Sequence, residues 1–264
     1  NPVYTLPEAK KFTEALKKVS LKISTSSYLD ETASLMDYVC PGNHNLESWG
    51  DSNPSHGKYS LMQPTIIPLF NTRQFQETLL SWTNKSDFHE YLKQYWTNKG
   101  VKWEQSLHDG YFSIETKKLN VSTFILSGFE DEVSPQKKSN NLELVVYESI
   151  GLGDGCQANN PWLQELPDPI TRSCWDNYLT ISPSTARKLG LRNWNVSNGA
   201  LNGDVVDIIA GDITLKGVPI MIQPGQAQET VGIAVGYGRT HAGKAGNNIG
   251  LNAFPLLYSK EIKI

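Results

Sequence analysis

Between Tyr178 and Val235 the chain repeats one pattern, in which short apolar or alternating runs are cut by turn residues. Tyr178–Ile181, Val205–Ile209, Ile213–Leu215, Val218–Ile222 and Val231–Val235 have the composition of strands. Gly211-Asp212, Gly217 and Pro224-Gly225 separate the later ones. Ser182-Pro183 caps and opens a short helix carrying Ala186 and Leu189, and Gly190 suits the left-handed position that ends it. Several short strands with one small helix point to a closed or nearly closed β-barrel.

The first half reads differently. Pro7–Lys18 spaces Phe12, Ala15, Leu16 and Val19 along one helical face. A short strand at Leu21–Ser24 follows, then Asp30 as a helix cap with Glu31 in the first turn, ahead of Ala33, Leu35 and Met36. Tyr38-Val39-Cys40 is a second strand, stopped by Pro41-Gly42. That rhythm belongs to a parallel α/β layer, although two strands are too few to close a sheet, so the missing half is expected before Asn1.

Pro41–Pro68, rich in Gly, Pro, Asn and Ser, reads as a long loop. Helices are expected over Thr72–Trp82 and, capped by Ser86, through Phe88, Tyr91, Leu92 and Tyr95, an aromatic stripe read as core packing. Leu119–Leu126 and Leu142–Tyr147 look like strands joined by the polar connector Glu130–Asn141. The glycines of Ile150–Asn160 mark a flexible joint, which gives two domains, 1–150 and 151–264.

The charge balance narrows the function classes. Lys+Arg number 24 against 27 Asp+Glu, a net charge of -3, which excludes the broad basic field of a nucleic-acid binder. The most apolar region, Ile213–Gly238, is interrupted by Lys216, Pro219, Pro224 and Glu229 and so does not make a direct membrane span. The start, Asn1-Pro2-Val3-Tyr4, lacks a methionine and a signal pattern and reads as a cut from a longer chain.

Cys40, Cys156 and Cys174 are too few and too scattered to hold an iron–sulfur centre alone; a Cys156–Cys174 bridge and free buried thiols both remain open. Ser127, Ser182 and Ser197 lack a nucleophile elbow. His44 and His56 flank the long loop, as a shared metal pair or as surface histidines, and no other ligand spacing occurs among the histidines. Asp204, Asp207 and Asp109 read as turn caps and solvated strand faces. Gly151-Leu152-Gly153-Asp154-Gly155 resembles half a phosphate loop, but no clear helix follows to supply the amide cradle, so it is read as a hinge.

More informative is Gly236-Tyr237-Gly238-Arg239 with Gly243, Gly246, Gly250 and Asn252, a guanidinium and an amide amid chain that can approach a ligand closely. Arg239 could pair with a phosphate and Asn252 could read a base edge or the backbone. Equally, Arg239 could pair with a local carboxylate and Asn252 cap a turn.

In order, the segments Asn160–Thr171, Trp175–Pro183, Leu189-Gly190-Leu191, Gly203–Val206, Pro224-Gly225-Gln226, Gly236–Arg239 and Gly250–Leu256 resemble the C-terminal barrel of the molybdopterin oxidoreductase (dimethyl sulfoxide reductase) superfamily. Asn1–Tyr4, Asp30–Ala33, Asp37–Pro41 and Leu46–Gly50 are similar to the second half of its preceding α/β domain. The fold class implied is α/β plus β: a partial nucleotide-binding α/β layer followed by a double-psi-like, six-stranded β-barrel of the molybdopterin-dinucleotide-binding type. Tyr59–Ile66, Pro68–Arg73 and Trp162–Asn177 look most like the large iron–sulfur subunit of alternative complex III, a membrane-associated quinol-oxidising assembly.

The resemblance implies a structural, non-catalytic region without a bound cofactor or metal, with iron–sulfur clusters elsewhere in the parent subunit. Its partners would be the other subunits of the electron-transfer complex, at the periplasmic side of a bacterial inner membrane. The alternative it implies is an active molybdenum enzyme holding a bis-pterin guanine dinucleotide through Thr171, Arg172, Trp175, Asn177, Arg239 and Asn252. A third class, a binding module, would use Trp49, Trp162 and Trp194 as a contact surface.

Overall fold

The computed structural model describes residues 1–83, 87–116, 141–259 and 261–264. They form two compact units, one from Ile23–Tyr28 and Tyr38–Pro135, the other from Asn1–Lys22, Leu29–Asp37 and Gln136–Ile264.

In the first unit, β1 (Ile23–Ser24) and β2 (Tyr38–Val39) pair in parallel, as the sequence predicts, with Ile23 opposite Tyr38. The long loop expected over Pro41–Pro68 instead contains an antiparallel hairpin, β3 (Gly50–Ser55) and β4 (Lys58–Met62). Its residues alternate hardly at all in polarity, which hid it, and turn chemistry holds it: Gly57 takes φ 76°, and Asn53 Nδ2 donates to the carbonyls of Ser55 and Lys58. β5 (Tyr111–Ser113) adds to β4 from far along the chain.

Helices Phe75–Ser81, Phe88–Asn98 and Trp103–Asp109 also belong to this unit. Asp87 caps the second, its carboxylate accepting from the Glu90 amide. Ser86, Ser127, the strand at Leu119–Leu126 and the connector Glu130–Asn141, save its last residue, lie outside the described residues. The aromatic stripe packs only in part: Leu92 is buried and Phe88 lies against the core, but Tyr91 and Tyr95 are exposed. Leu61, Leu92, Trp96, Trp103 and Phe112 form the core, and Trp96 Nε1 donates to Asp51 Oδ2 at 2.8 Å.

The second unit is built on six strands: β6 (Leu142–Glu148), β7 (Leu179–Ile181), β10 (Val205–Ala210), β11 (Ile213–Ile222), β12 (Thr230–Val235) and β13 (Glu261–Ile262). A small hairpin, β8 (Asn193–Asn195) with β9 (Leu201–Gly203), lies between β7 and β10 in the chain. The sheet order is β10-β11-β7-β12-β6-β13, with β11–β7 and β12–β6 parallel and the other pairs antiparallel. The two edges meet, because Ile209 and Lys263 exchange backbone hydrogen bonds, both 2.9 Å. The sheet is therefore a nearly closed barrel, the solution that leaves no long open edge.

Leu179, Ile181, Ile208, Val218, Ile233 and Ile262 fill its interior. Each such side chain contributes about 1.5–3 kcal/mol by leaving water. β11 is one strand where two are expected; Gly217 at φ 73° lets it run through a bulge, and its amide donates to Asp207. β6 lies before the joint expected at 150/151 yet is built into the barrel. The helix Pro183–Leu189 has the expected caps, Ser182 Oγ accepting from the Thr185 amide and Gly190 at φ 72°.

At the N-terminal end of this unit lie the short helices Pro2–Thr5 and Ala9–Leu16 and the 3₁₀ turn Ala33–Leu35, whose amide at Ala33 donates to Asp30. Among the described residues no helix is long and apolar enough to cross a membrane.

Candidate functional site

The residues singled out by the sequence gather at two places in the barrel unit. The first is the loop between helix Pro161–Gln164 and β7. Asp168 organises it, its Oδ1 accepting from the amides of Ile170 (2.9 Å) and Thr171 (2.8 Å) and from Thr171 Oγ1 (3.1 Å). Thr171 also hydrogen-bonds the Tyr178 hydroxyl. Arg172 and Trp175 are held at φ 62° and 69°. That is left-handed backbone, which costs a side-chain-bearing residue about 1–2 kcal/mol.

Asn177 closes the loop. It is 1% exposed; its amide donates to the carbonyls of Ala234 (2.8 Å) and Leu251 (2.9 Å), and its oxygen accepts from the Leu251 amide (2.9 Å). One side chain thus sews β12 to the chain that follows it.

The second place is centred on Arg239. Nε and Nη2 grip the Glu31 carboxylate at 2.9 and 2.7 Å, and Nη1 donates to the Gly155 carbonyl at 2.6 Å. The guanidinium lies 4.7 Å over the Tyr4 ring, whose hydroxyl donates to the Tyr237 carbonyl. Burial opposes ionisation of Glu31, yet hydrogen bonds from Arg239, His241 and Asn1 outweigh it and hold the carboxyl well below the usual carboxylate range. Asn252 donates to the Tyr4 carbonyl (3.2 Å) and accepts from the Phe254 amide, a turn cap.

Of the two roles open to Arg239 and Asn252, this geometry displays the structural pair, although Glu31 lies 208 residues away in sequence rather than nearby. Glu31, Tyr4 and Asn1 are the members that sequence reasoning missed. A lone glutamate after a cap residue carries only the signal of a first-turn acid.

Between the two places a small cavity is lined by Tyr147, Asp168, Ser173, Asp176, Tyr178 and Tyr237, among others. Its free volume is about 20 Å³, room for about one water molecule. Burial pushes the Tyr147 phenol up to about 12, and raises those of Tyr178 and Tyr237 as well.

Arg239 does not fit a dinucleotide phosphate. Each guanidinium nitrogen of Arg239 already donates within the protein, and two acids line the cavity. The glycines expected to admit a ligand admit the chain itself. A Cβ on Gly238 would lie 2.5 Å from the Leu251 carbonyl carbon, and one on Gly250 would lie 2.7 Å from Asn177 Oδ1. Gly151–Gly155, read as a hinge, is packed, with Leu152 buried and Gly155 against Gly236.

The other candidates take ordinary roles. His44 caps the 3₁₀ turn Asn45–Glu47, and Asp204 accepts from the Arg192 amide. Asp109 accepts from Gln105. The three cysteines are free thiols, with Cys40 and Cys156 exposed rather than buried. Among the described residues no three His, Cys, Asp or Glu side chains gather to hold a metal ion. Trp49 packs against Trp103 in the core of its unit, Trp194 is partly exposed, and Trp162 is 82% exposed.

No family model matches the chain. It is 26% identical, over 271 aligned positions, to the menaquinone reductase, molybdopterin-binding-like subunit, of Nitratidesulfovibrio vulgaris strain Hildenborough. That alignment covers 97% of this chain and 37% of the relative. The fold is similar to that of acetylene hydratase from Pelobacter acetylenicus, with a TM-score of 0.64 and 16% identity over 96% of this chain and 39% of the other. The chain thus spans well under half the length of either. It resembles the molybdopterin oxidoreductase superfamily in sequence and in fold.

Proposed function

We propose that this chain is the molybdopterin-oxidoreductase-like part of a subunit in a membrane-associated, quinol-oxidising electron-transfer complex, and that it serves there as a scaffold without cofactor or catalysis. The commitment of Arg239 to Glu31 and Gly155 carries the reading, because a buried cation expected to meet a dinucleotide phosphate is already neutralised inside the protein. Thr171, Arg172, Trp175, Asn177, Arg239 and Asn252 are then the vestige of a cofactor cradle, in which the side chains of Thr171, Asn177, Arg239 and Asn252 now bind the protein's own groups.

The quinone-linked setting draws support from the relative, which is named as a subunit of a menaquinone reductase. The direction of electron flow belongs to the whole assembly. Iron–sulfur clusters elsewhere in the parent subunit, further subunits as partners and the periplasmic face of the inner membrane complete the proposal.

The test is turnover without molybdenum. The assembled complex containing this chain, isolated from cells grown with tungstate in place of molybdate, is expected to keep its quinone-linked electron transfer. Loss of turnover under those conditions would instead favour the active bis-pterin guanine dinucleotide enzyme.

A further inference from the structure

The Glu31 carboxylate sits in a pocket of converging donors. Its Oε1 accepts from the backbone amides of Thr240 (2.8 Å) and His241 (3.0 Å) and from Arg239 Nε (2.9 Å). Its Oε2 accepts from Arg239 Nη2 (2.7 Å) and Asn1 Nδ2 (2.7 Å). Two successive amides aimed at one oxygen beside a guanidinium make a concavity suited to phosphate and carboxylate oxygens. None of those donors belongs to the turn that carries Glu31; they come from Asn1 and from Arg239–His241. The nest is assembled by the barrel end and Asn1, and a distant acid fills it.

We infer that Arg239, Thr240, His241 and Asn1 form an anion site of the phosphate or carboxylate class, which Glu31 occupies from within and so closes to an external phosphate. The inference rests on the cofactor-free reading above and deepens it by naming the group that excludes the anion. An incoming phosphate would have to displace a carboxylate already held in bidentate contact and leave it buried beside the newcomer, two like charges in one small site. With the carboxylate removed, the same donors face the space unpaired, and any small oxyanion gains by entering.

The probes are inorganic pyrophosphate and acetate, added to the full chain and compared with chloride at matched ionic strength, with thermal unfolding as the readout. Glu31→Ala is expected to rise in Tm with either oxyanion in a saturable way. If that variant is unfolded by itself, its refolding on adding acetate, followed by circular dichroism, is the same result. Glu31→Gln keeps the shape but is neutral, so pyrophosphate should displace it and bind at least tenfold more tightly than to the wild type. Adding Arg239→Ala to either variant should abolish the response.

Equal responses of wild type and variants, a folded Glu31→Gln chain that responds no more than to chloride, or a response that survives Arg239→Ala would overturn the inference. These outcomes are independent of turnover without molybdenum, so either idea can fail alone.

Discussion

Glu31 and Arg239 meet as a bidentate ion pair across 208 residues of sequence, each side chain only 7% exposed. Removing one partner of a buried pair strands the other charge, which costs about 3–5 kcal/mol, whereas replacing both with apolar groups of similar volume is often nearly neutral. Arg239→Ala should therefore lower unfolding stability by about that amount, and Glu31→Leu with Arg239→Met should recover only part of it, because the Thr240 and His241 amides and Asn1 Nδ2 lose their acceptor. Urea denaturation of the three chains measures both effects.

The same pair sets an acid limit. Burial opposes the charge on Glu31, but its hydrogen bonds hold the folded-state carboxyl below its unfolded value. A depressed carboxylate contributes stability that is present above the unfolded pKa, about 4.3, and lost as the pH falls through and below it. Urea midpoints should fall between about pH 5 and pH 3, and Glu31→Gln should flatten that limb.

Asn177 ties the site loop to Ala234 and Leu251 through three hydrogen bonds. Asn177→Ala leaves buried backbone groups unpaired and should cost about 2–4 kcal/mol, each unsatisfied group accounting for about 1–3. Asn177→Asp should cost at least as much, since a carboxylate would face two carbonyls. Thermal unfolding distinguishes this structural role from a role reserved for a cofactor, which would leave the free chain unchanged.

What the sequence made legible was local. The capped helix Pro183–Leu189, the alternation of Val205–Ala210 and the short parallel strands carry their signals within a few residues. The hairpin β3–β4 escaped because its residues are mostly polar and its third strand, β5, comes about fifty residues later. β13 has two residues, and only its pairing with β6 makes it a strand. At the site, the family resemblance pointed to Arg239 and Asn252, while their jobs depend on Glu31 and Tyr4, distant partners that no spacing rule connects.

The glycines around Arg239 serve close packing of the chain on itself. Gly238 has φ 70°, and a Cβ there would collide with the backbone of Leu251 and Asn252. Gly238→Ala adds left-handed strain of about 1–2 kcal/mol to that clash and should destabilise by more than this. Gly190→Ala, at a similar φ of 72° but in open space, should show the strain alone. Comparing the two by urea denaturation separates crowding from backbone preference.

Metal and pterin analysis of the isolated subunit that contains this chain bears most directly on the scaffold role. With Arg239 closed on Glu31, molybdenum and extractable pterin should both fall far below one per subunit. Stoichiometric amounts of both would contradict it.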